Sequence, residues 1–327
     1  MSIDDKADDT GALHPPGSNS NPLGRPRRKD GALVTGDDRA EPSGETTRYR
    51  DPIDTTVADP ARRYDYWLGG KDNFQVDRDS GDLIAKRFPT IKMAAQENRR
   101  FLRRAVTALA ETGVDQFLDV GTGLPTATNT HQIAHDINPA ANVVYVDNSP
   151  MVLAHARALL VADPDAGATA YIDGDLRRPR TILDDPALHD TLDLTRPVGL
   201  LLIAVMHFIT DDDNPYNIVR NLLDALPTGS WLALSHVTGD LLPDDVRDDF
   251  DAINTHAGIP MQLRSRREFS RFFTGLDLAK PGIVPINRWR AESEPEPRPS
   301  DTDTAVYGAL ARKTQPRPGR RARRPRP

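Results

Sequence analysis

From residue 89 the chain alternates between two hydrophobic periods, and that alternation restricts the fold more than any other feature. "PTIKMAAQENRRFLRRAVTALAETG" (89–113) carries Met93, Phe101, Leu102, Ala105, Val106 and Leu109 at helical spacing, with Gly113 as a C-cap. "QFLDVGTG" (116–123) is a short apolar strand that ends in a Gly-rich turn. A weaker helix over 126–138 leads to a β-branched strand, "NVVYVDNS" (142–149). The helix over 150–163 opens with Pro150 at its first position. Strands follow at 168–175, 197–209 and 230–239, with a helix over 216–229 between the last two. The stretch "PVGLLLIAVMHFI" (197–209) is apolar throughout, as a strand buried on both faces must be. Strands that alternate with helices in this way predict an α/β, doubly wound, mostly parallel sheet. Beyond residue 240 the pattern shifts. Helices are expected at 243–256 and 265–275, and strands at 282–290 and 304–313 as an antiparallel pair at the sheet edge.

Composition sets the limits of that domain. The chain has 327 residues, and its 28 prolines are not spread evenly. Residues 1–57 are rich in Asp, Gly, Pro and Ser and cannot bury enough apolar surface to offset their ordering entropy. Residues 312–327, "RKTQPRPGRRARRPRP", hold eight basic residues and no acidic one; setting them aside takes the remainder from a net charge of -6 to -14. The expectation is therefore a single domain over 58–313, with 58–112 as an N-terminal cap and helix, between disordered tails at 1–57 and 314–327. An acidic body argues against a nucleic-acid groove, apart from weak contacts of the basic tail. No cysteine is present, so thiolate metal sites and disulfides are excluded. No apolar run reaches the roughly 18 residues of a membrane span, and the start has no signal-like apolar region, so a cytoplasmic protein without a membrane partner is expected.

The chemistry concentrates at the strand ends. "LDVGTGLPT" puts Asp119, Gly121 and Gly123 at the carboxyl end of the first strand, where glycine permits a sharp turn and close approach to a ligand. The dinucleotide fingerprint is incomplete, because Thr126 stands where its third Gly belongs. Asp119 would repel a pyrophosphate, which argues against a nicotinamide cofactor; it suits a cation. Asp147, with Asn148 beside it, closes the next strand and is placed to accept bonds from a ribose diol. Asp175 closes the third and is placed for an adenine amine, with Leu176 against the ring. Taken singly, each Asp is equally a helix cap or turn former. Together they suit S-adenosylmethionine, which carries a sulfonium, an ammonium, a diol and an adenine, and no phosphate.

The segments "DPARRYDYWLGGKDNFQVDR", "NRRFLRRAV", "QFLDVGTGLPTATNTHQIA", "VVYVDNSPMVLAHARALL" and "YIDGDLRRP" closely resemble an actinobacterial family of S-adenosylmethionine-dependent methyltransferases of largely unassigned substrate. The resemblance covers about residues 58–313. It implies a class I methyltransferase-like, seven-stranded sheet whose last strand, "TAVYGALARK", is antiparallel. It also implies that Asp119, Gly121 and Gly123 line the methionine moiety, Asp147 the ribose, and Asp175 with Leu176 the adenine. "RYDYWLGGKDNF" would be a cap over the cofactor, with Gly70 in a tight turn and Lys71 and Asn73 on the cofactor carboxylate. Tyr64, Tyr66 and Trp67 would then wall the site. The same residues also read as a helix packed on the sheet with Gly69-Gly70 as its C-cap.

Methyl transfer needs a general base only when the nucleophile starts protonated. His207, after the fourth strand, and Tyr64 are the acid–base candidates. His236 is weaker, because one position along a strand reverses the face. His131 and His135, four apart on a helix, read as a solvated face rather than a metal pair. The leading expectation is methyl transfer to a small-molecule substrate. The alternatives are a non-catalytic S-adenosylmethionine-binding or regulatory protein and a scaffold that uses its basic tail.

Overall fold

A computed structural model describes residues 53–126, 128–159 and 166–315. Most of the two expected tails, 1–52 and 316–327, therefore lies outside the described residues, as do 160–163 of the helix expected over 150–163. Helices α1 (Pro60–Leu68) and α2 (Gln75–Arg87) precede the long α3 (Ile91–Glu111). Strands and helices then alternate: β1 (Gln116–Val120), α4 (Thr130–His135), β2 (Asn142–Asp147), α5 (Pro150–Leu159) and β3 (Thr169–Asp173). Two short helices, α6 (Pro179–Leu183) and α7 (Pro186–Thr191), lead to β4 (Gly199–Ile203), α8 (Pro215–Asp224) and β5 (Trp231–Val237). Helices α9 (Asp244–Asp248), α10 (Phe250–Ala257) and α11 (Arg266–Ser270) follow. Two-residue strands β6 (Asp277–Leu278) and β7 (Val284–Pro285), the short α12 (Asp301–Thr304) and β8 (Val306–Arg312) complete the order.

The sheet runs β3-β2-β1-β4-β5-β8-β6, with β7 also paired to β8. Strands β1 to β5 are parallel, and β8 lies antiparallel beside β5 over its whole length. The antiparallel final strand thus agrees with the sequence. The strand count differs: two short pieces, separated by Pro281 and Gly282, share the outer edge of β8, so the described residues form eight strands rather than seven. The strand expected over 282–290 shrinks to β7 and passes into a 3-10 turn at Ile286–Arg288.

Core lies on both faces, which is why the central strands read as unbroken apolar runs. Leu118, Val144, Leu200 and Leu232 face one cluster, together with Val219 and Leu222 of α8. Phe117, Val143, Leu201 and Ala233 face the other, against Phe101, Val106 and Leu109 of α3. Met93, expected on that buried stripe, is instead 42% exposed, since α3 begins two residues before it, ahead of its contact with the sheet. One polar network ties α3 to the late loops. Buried Arg104 donates to Glu97 at 2.8 Å, to Glu294 at 2.9 Å and to the carbonyls of Trp289 and Ile286 at 2.9 and 2.7 Å. Strand order reverses at β1, whose neighbours are β2 and β4, and the crevice that opens there at the strands' carboxyl ends is where a ligand site belongs. Among the described residues no helix is long and apolar enough to cross a membrane.

Candidate active site

A cavity of about 530 Å³ fills that crevice, within the roughly 300–1,000 Å³ usual for small-molecule sites. Its floor is the ends of β1, β2 and β3: Asp119, Gly121, Gly123, Asp147, Asn148, Asp175 and Leu176 all line it. Both glycines of the turn have left-handed backbone, φ +76 at Gly121 and +68 at Gly123. A Cβ at Gly121 would lie 2.3 Å from Val205 Cγ2, so the turn nests against the chain leaving β4. A Cβ at Gly123 would meet nothing within 4 Å. Gly123 instead presents its N–H to Asp147 Oδ2 at 2.8 Å, while Asp147 Oδ1 accepts the N–H of Ser149 at 2.9 Å.

The two inner carboxylates are poised rather than fully ionised. Asp119 accepts a bond from Thr130 Oγ1 at 2.7 Å, yet burial pushes its pKa from 3.8 up to about 6. Burial likewise raises Asp147 to about 6, against the lowering effect of its backbone N–H partners. A cation or a hydrogen-bond donor brought to these groups recovers what desolvation withholds. Asp175 is half-buried and accepts the N–H of Arg177 at 2.9 Å. Arg99, on α3, also lines the cavity, donates to Thr126 Oγ1 at 2.6 Å and acts electrostatically on Asp119. An empty backbone cradle at Gly123, two buried carboxylates and a nearby guanidinium fit an adenosyl amino acid with its diol, ammonium and carboxylate.

The rest of the lining comes from the end of β4 and the turn after it, the cap and α10. β4 ends at Ile203, earlier than its sequence suggests. The N–H of Ala204 is captured by Ser235 Oγ at 2.9 Å and Ala204 sits at φ +54, a costly conformation for alanine of the kind that collects at functional sites. A 3-10 turn, Met206–Phe208, then carries His207 into the lining. The imidazole is 5% exposed and its Nδ1 has no partner. Burial, with His236 and the Arg63 and Arg264 charges nearby, holds its pKa well below 6.5, so the ring is neutral.

His236 does not belong to the lining. Arg264 Nη1 donates to its Nε2 at 2.8 Å and its Nδ1–H donates to Val237 O at 2.6 Å; burial lowers its pKa to about 3. Arg264, fully buried, also donates to the carbonyls of Met206 and Ile209 at 3.0 and 2.8 Å and thereby holds the turn that carries His207.

The cap satisfies both readings of its sequence in part. Helix α1 starts at Asp59, whose side chain accepts the N–H of Arg62, and ends at Gly69 with φ +82. Tyr64 and Trp67 line the cavity, whereas Tyr66 points to Asp82 with its hydroxyl donating at 2.7 Å. Three expectations are corrected here. Gly70, Lys71 and Asn73 are not part of the lining. Gly70 is glycine because a Cβ would lie 1.9 Å from Asp65 Oδ1, and the Asn73 amide is committed to Asp65 Oδ2 at 2.8 Å and Gly70 O at 3.1 Å. Tyr64 is not a free acid–base group: its hydroxyl donates to Ala95 O at 2.9 Å and accepts from Asn98 at 3.0 Å, and burial raises its pKa. His131 and His135 are half-buried rather than solvated, one bonded to the Tyr145 hydroxyl and the other to Ala141 O, each at 2.8 Å.

Several lining residues carried no sequence signal of their own. Arg63 and Asn98 sit in polar stretches of helix, and Asn254 in a segment that reads as uninformative. Asn98 is buried where α3 meets Tyr64 and Ser235, and Arg63 and Asn254 where α1, α2 and α10 gather. Ser80 Oγ of α2 donates to Ala257 O of α10 at 3.0 Å.

A parallel sheet in this order with an antiparallel strand at β8, and carboxylates at three successive strand ends, defines a class I methyltransferase. The particular family follows from likeness along the chain. Residues 46–314 match the model of the S-adenosyl methyltransferase family, and the chain belongs to that family. A DUF574 family protein from Streptomyces avermitilis MA-4680 is 43% identical, with a TM-score of 0.74 over 80% of this chain and 100% of that one. A candidate methyltransferase from Thermobifida fusca YX is 38% identical, with a TM-score of 0.74 over 80% and 97%. No protein of curated function matches. The protein is an S-adenosylmethionine-dependent methyltransferase, and S-adenosylmethionine is its cofactor.

Proposed function

We propose that this enzyme methylates a small molecule held under the cap, at the end of the cavity away from Asp119, Asp147 and Asp175. The observation that carries the reading is one cavity whose lining joins the Gly121 and Gly123 turn and the carboxylates of Asp119, Asp147 and Asp175 to His207, Arg63, Asn254 and apolar side chains of α10. In this reading Asp147 receives the ribose diol, Asp175 and Leu176 the adenine, Asp119 the ammonium, and Arg99 the cofactor's carboxylate.

S-adenosylmethionine supplies an electrophilic methyl on a sulfonium, transferred by in-line displacement with a neutral leaving group. The protein's task is then positioning and exclusion of water more than charge stabilisation. Trp67 and the buried face of α10 keep water out. Tyr64, tied through Asn98 to Ser235, fixes the cap to the β4 turn: Ser235 Oγ donates to Asn98 Oδ1 at 2.7 Å and accepts the N–H of Ala204. His207, neutral and unpartnered at Nδ1, accepts a hydrogen bond from the nucleophile's O–H or N–H and orients its lone pair. Its low basicity suits orientation better than full proton removal.

Isothermal titration of the purified protein with S-adenosylmethionine, with NAD as control ligand, tests the cofactor end. Micromolar binding of the first alone supports the assignment. Equal binding of both, or of neither, removes the residue roles given above.

A further inference from the structure

Among the described residues, six have a buried side-chain nitrogen or oxygen without a partner, and Arg63, His207 and Asn254 among them line this cavity. Arg63 is 1% exposed and, among the described residues, forms no ion pair within 4 Å. Its Nη1 reaches Ser80 Oγ at a long 3.3 Å, its Nη2 reaches Met261 Sδ at 3.3 Å, and its Nε reaches nothing. The nearby carboxylate of Asp77 is already taken by Arg62 Nε at 2.8 Å and by the N–H groups of Asp59 and Phe74, each at 2.9 Å. Asn254 is 3% exposed, and neither atom of its carboxamide is bonded. Arg63 Nε, His207 Nδ1 and the Asn254 amide are thus buried polar groups short of partners, and a polar ligand would supply them.

We propose that Arg63, with Asn254 and His207, recognises a carboxylate on the methyl-accepting substrate. The inference rests on the methyltransferase reading above and adds the substrate's chemical class: an apolar body bearing one carboxylate. A planar guanidinium whose Nε lacks a partner matches a carboxylate in bidentate fashion, and one buried cation balances a single negative charge better than a phosphate dianion. Trp67 lies under the guanidinium, 5.1 Å from ring to cation, and fixes its plane. Val246, Phe250, Ile253 and Ile259 supply the apolar wall beside it. The cofactor's own carboxylate is the competing source of this anion. Arg99 answers for that one, because its charge acts on Asp119, whereas the Arg63 charge acts on His207.

The test uses the full-length protein. It is titrated with S-adenosylhomocysteine and then, with that ligand saturating, with benzoate, cinnamate and octanoate and the primary amide of each. At least one acid is expected to bind about tenfold or more tightly than its amide, as a charge-assisted pair requires. Arg63→Gln is expected to erase that preference and leave the S-adenosylhomocysteine affinity unchanged. Where Arg63→Gln fails to fold, Asn254→Leu, which removes only an unpartnered amide, must reduce the preference several-fold. Equal affinity for acids and amides in the wild type, or a preference that survives Arg63→Gln, overturns the proposal. So does an Arg63→Gln variant that loses S-adenosylhomocysteine while keeping 5'-methylthioadenosine, which lacks the carboxylate; that result assigns Arg63 to the cofactor. If the wild type ignores S-adenosylhomocysteine, the residue roles at the cofactor end fail separately, and the acid-over-amide comparison on the ligand-free protein still decides this one.

Discussion

Asp147 accepts two backbone N–H groups and still faces the cavity, so its removal has two separable effects. Asp147→Ala is expected to weaken S-adenosylhomocysteine binding by roughly 1.5–3 kcal/mol, the worth of hydrogen bonds to a charged acceptor, read by calorimetry. It also leaves the Gly123 and Ser149 N–H groups unpaired, so the urea midpoint of the ligand-free protein falls as well. Protonation gives a second prediction. Asp119 and Asp147 move from 3.8 in the unfolded chain to about 6 in the fold. Their stabilising contribution is present below 3.8 and lost as pH rises through about 6, so these two groups favour the empty protein more at pH 5 than at pH 7. Ligand binding runs the other way, because an ammonium and a diol prefer ionised acceptors. Affinity for S-adenosylhomocysteine is expected to fall as pH drops through about 6, and a flat profile between pH 7.5 and 5 would remove both carboxylates from the site. At this scale the site was partly legible. Asp119, Asp147 and Asp175, read from the ends of apolar stretches, all line the cavity, Asp175 two residues beyond the end of β3. Arg63 and Asn254 gave no local signal, since nothing nearby in sequence says that a charged helical residue will be buried.

Gly121 shows how one element leans on the next. The β1 turn and the residues after β4 interlock there, with room for hydrogen but not for a methyl beside Val205. Gly121→Ala is expected to destabilise the protein by the roughly 1–2 kcal/mol of left-handed backbone plus about 1–3 kcal/mol of overpacking. Adding Val205→Ala should return the overpacking part and none of the backbone part, as urea titration of the two variants will read. If the double variant recovers nothing, the contact does not limit the turn. The strand expected over 197–209 ran too long for the same reason. Its sequence stays apolar through Ile209, but the backbone leaves the sheet at Ala204, where Ser235 of the neighbouring strand takes the N–H. A run of apolar residues reports burial and does not say where pairing stops.

Two predictions concern the whole molecule. Arg104 joins α3 to residues 286–294 through two carboxylates and two carbonyls, all buried. Arg104→Met is expected to cost about 3 kcal/mol, because it leaves buried Glu97 and Glu294 only the exposed Arg100 and Arg103 as partners, while apolar replacement of Arg104, Glu97 and Glu294 together should cost less. Equal losses in the single and triple variants would show that the carbonyl contacts, not the charges, matter. The domain edge is the second. Arg62 donates to the carbonyls of Asp54, at 2.9 Å, and of Val57, so the cap is anchored by residues that the boundary expected at 58 leaves out. Deletion through residue 52 should leave the melting temperature unchanged, and deletion through residue 57 should lower it.

What the sequence determined alone is what short-range physics dictates. The two hydrophobic periods specify strands, helices and their order. A strand end followed by Gly-x-Gly specifies a turn open to a ligand, and acidic residues after apolar strands specify which ligand class fits. The tertiary structure alone decided where β4 ends, that Asn73 and Gly70 serve Asp65, that Tyr64 is bonded at both its donor and its acceptor, and that Arg63 lies buried with its charge acting on His207. All but the Asp65 contacts depend on partners far away in the chain, Ser235, Ala95, Asn98 and Met261 among them, and burial of a polar group is a property of what packs over it, not of the residue itself.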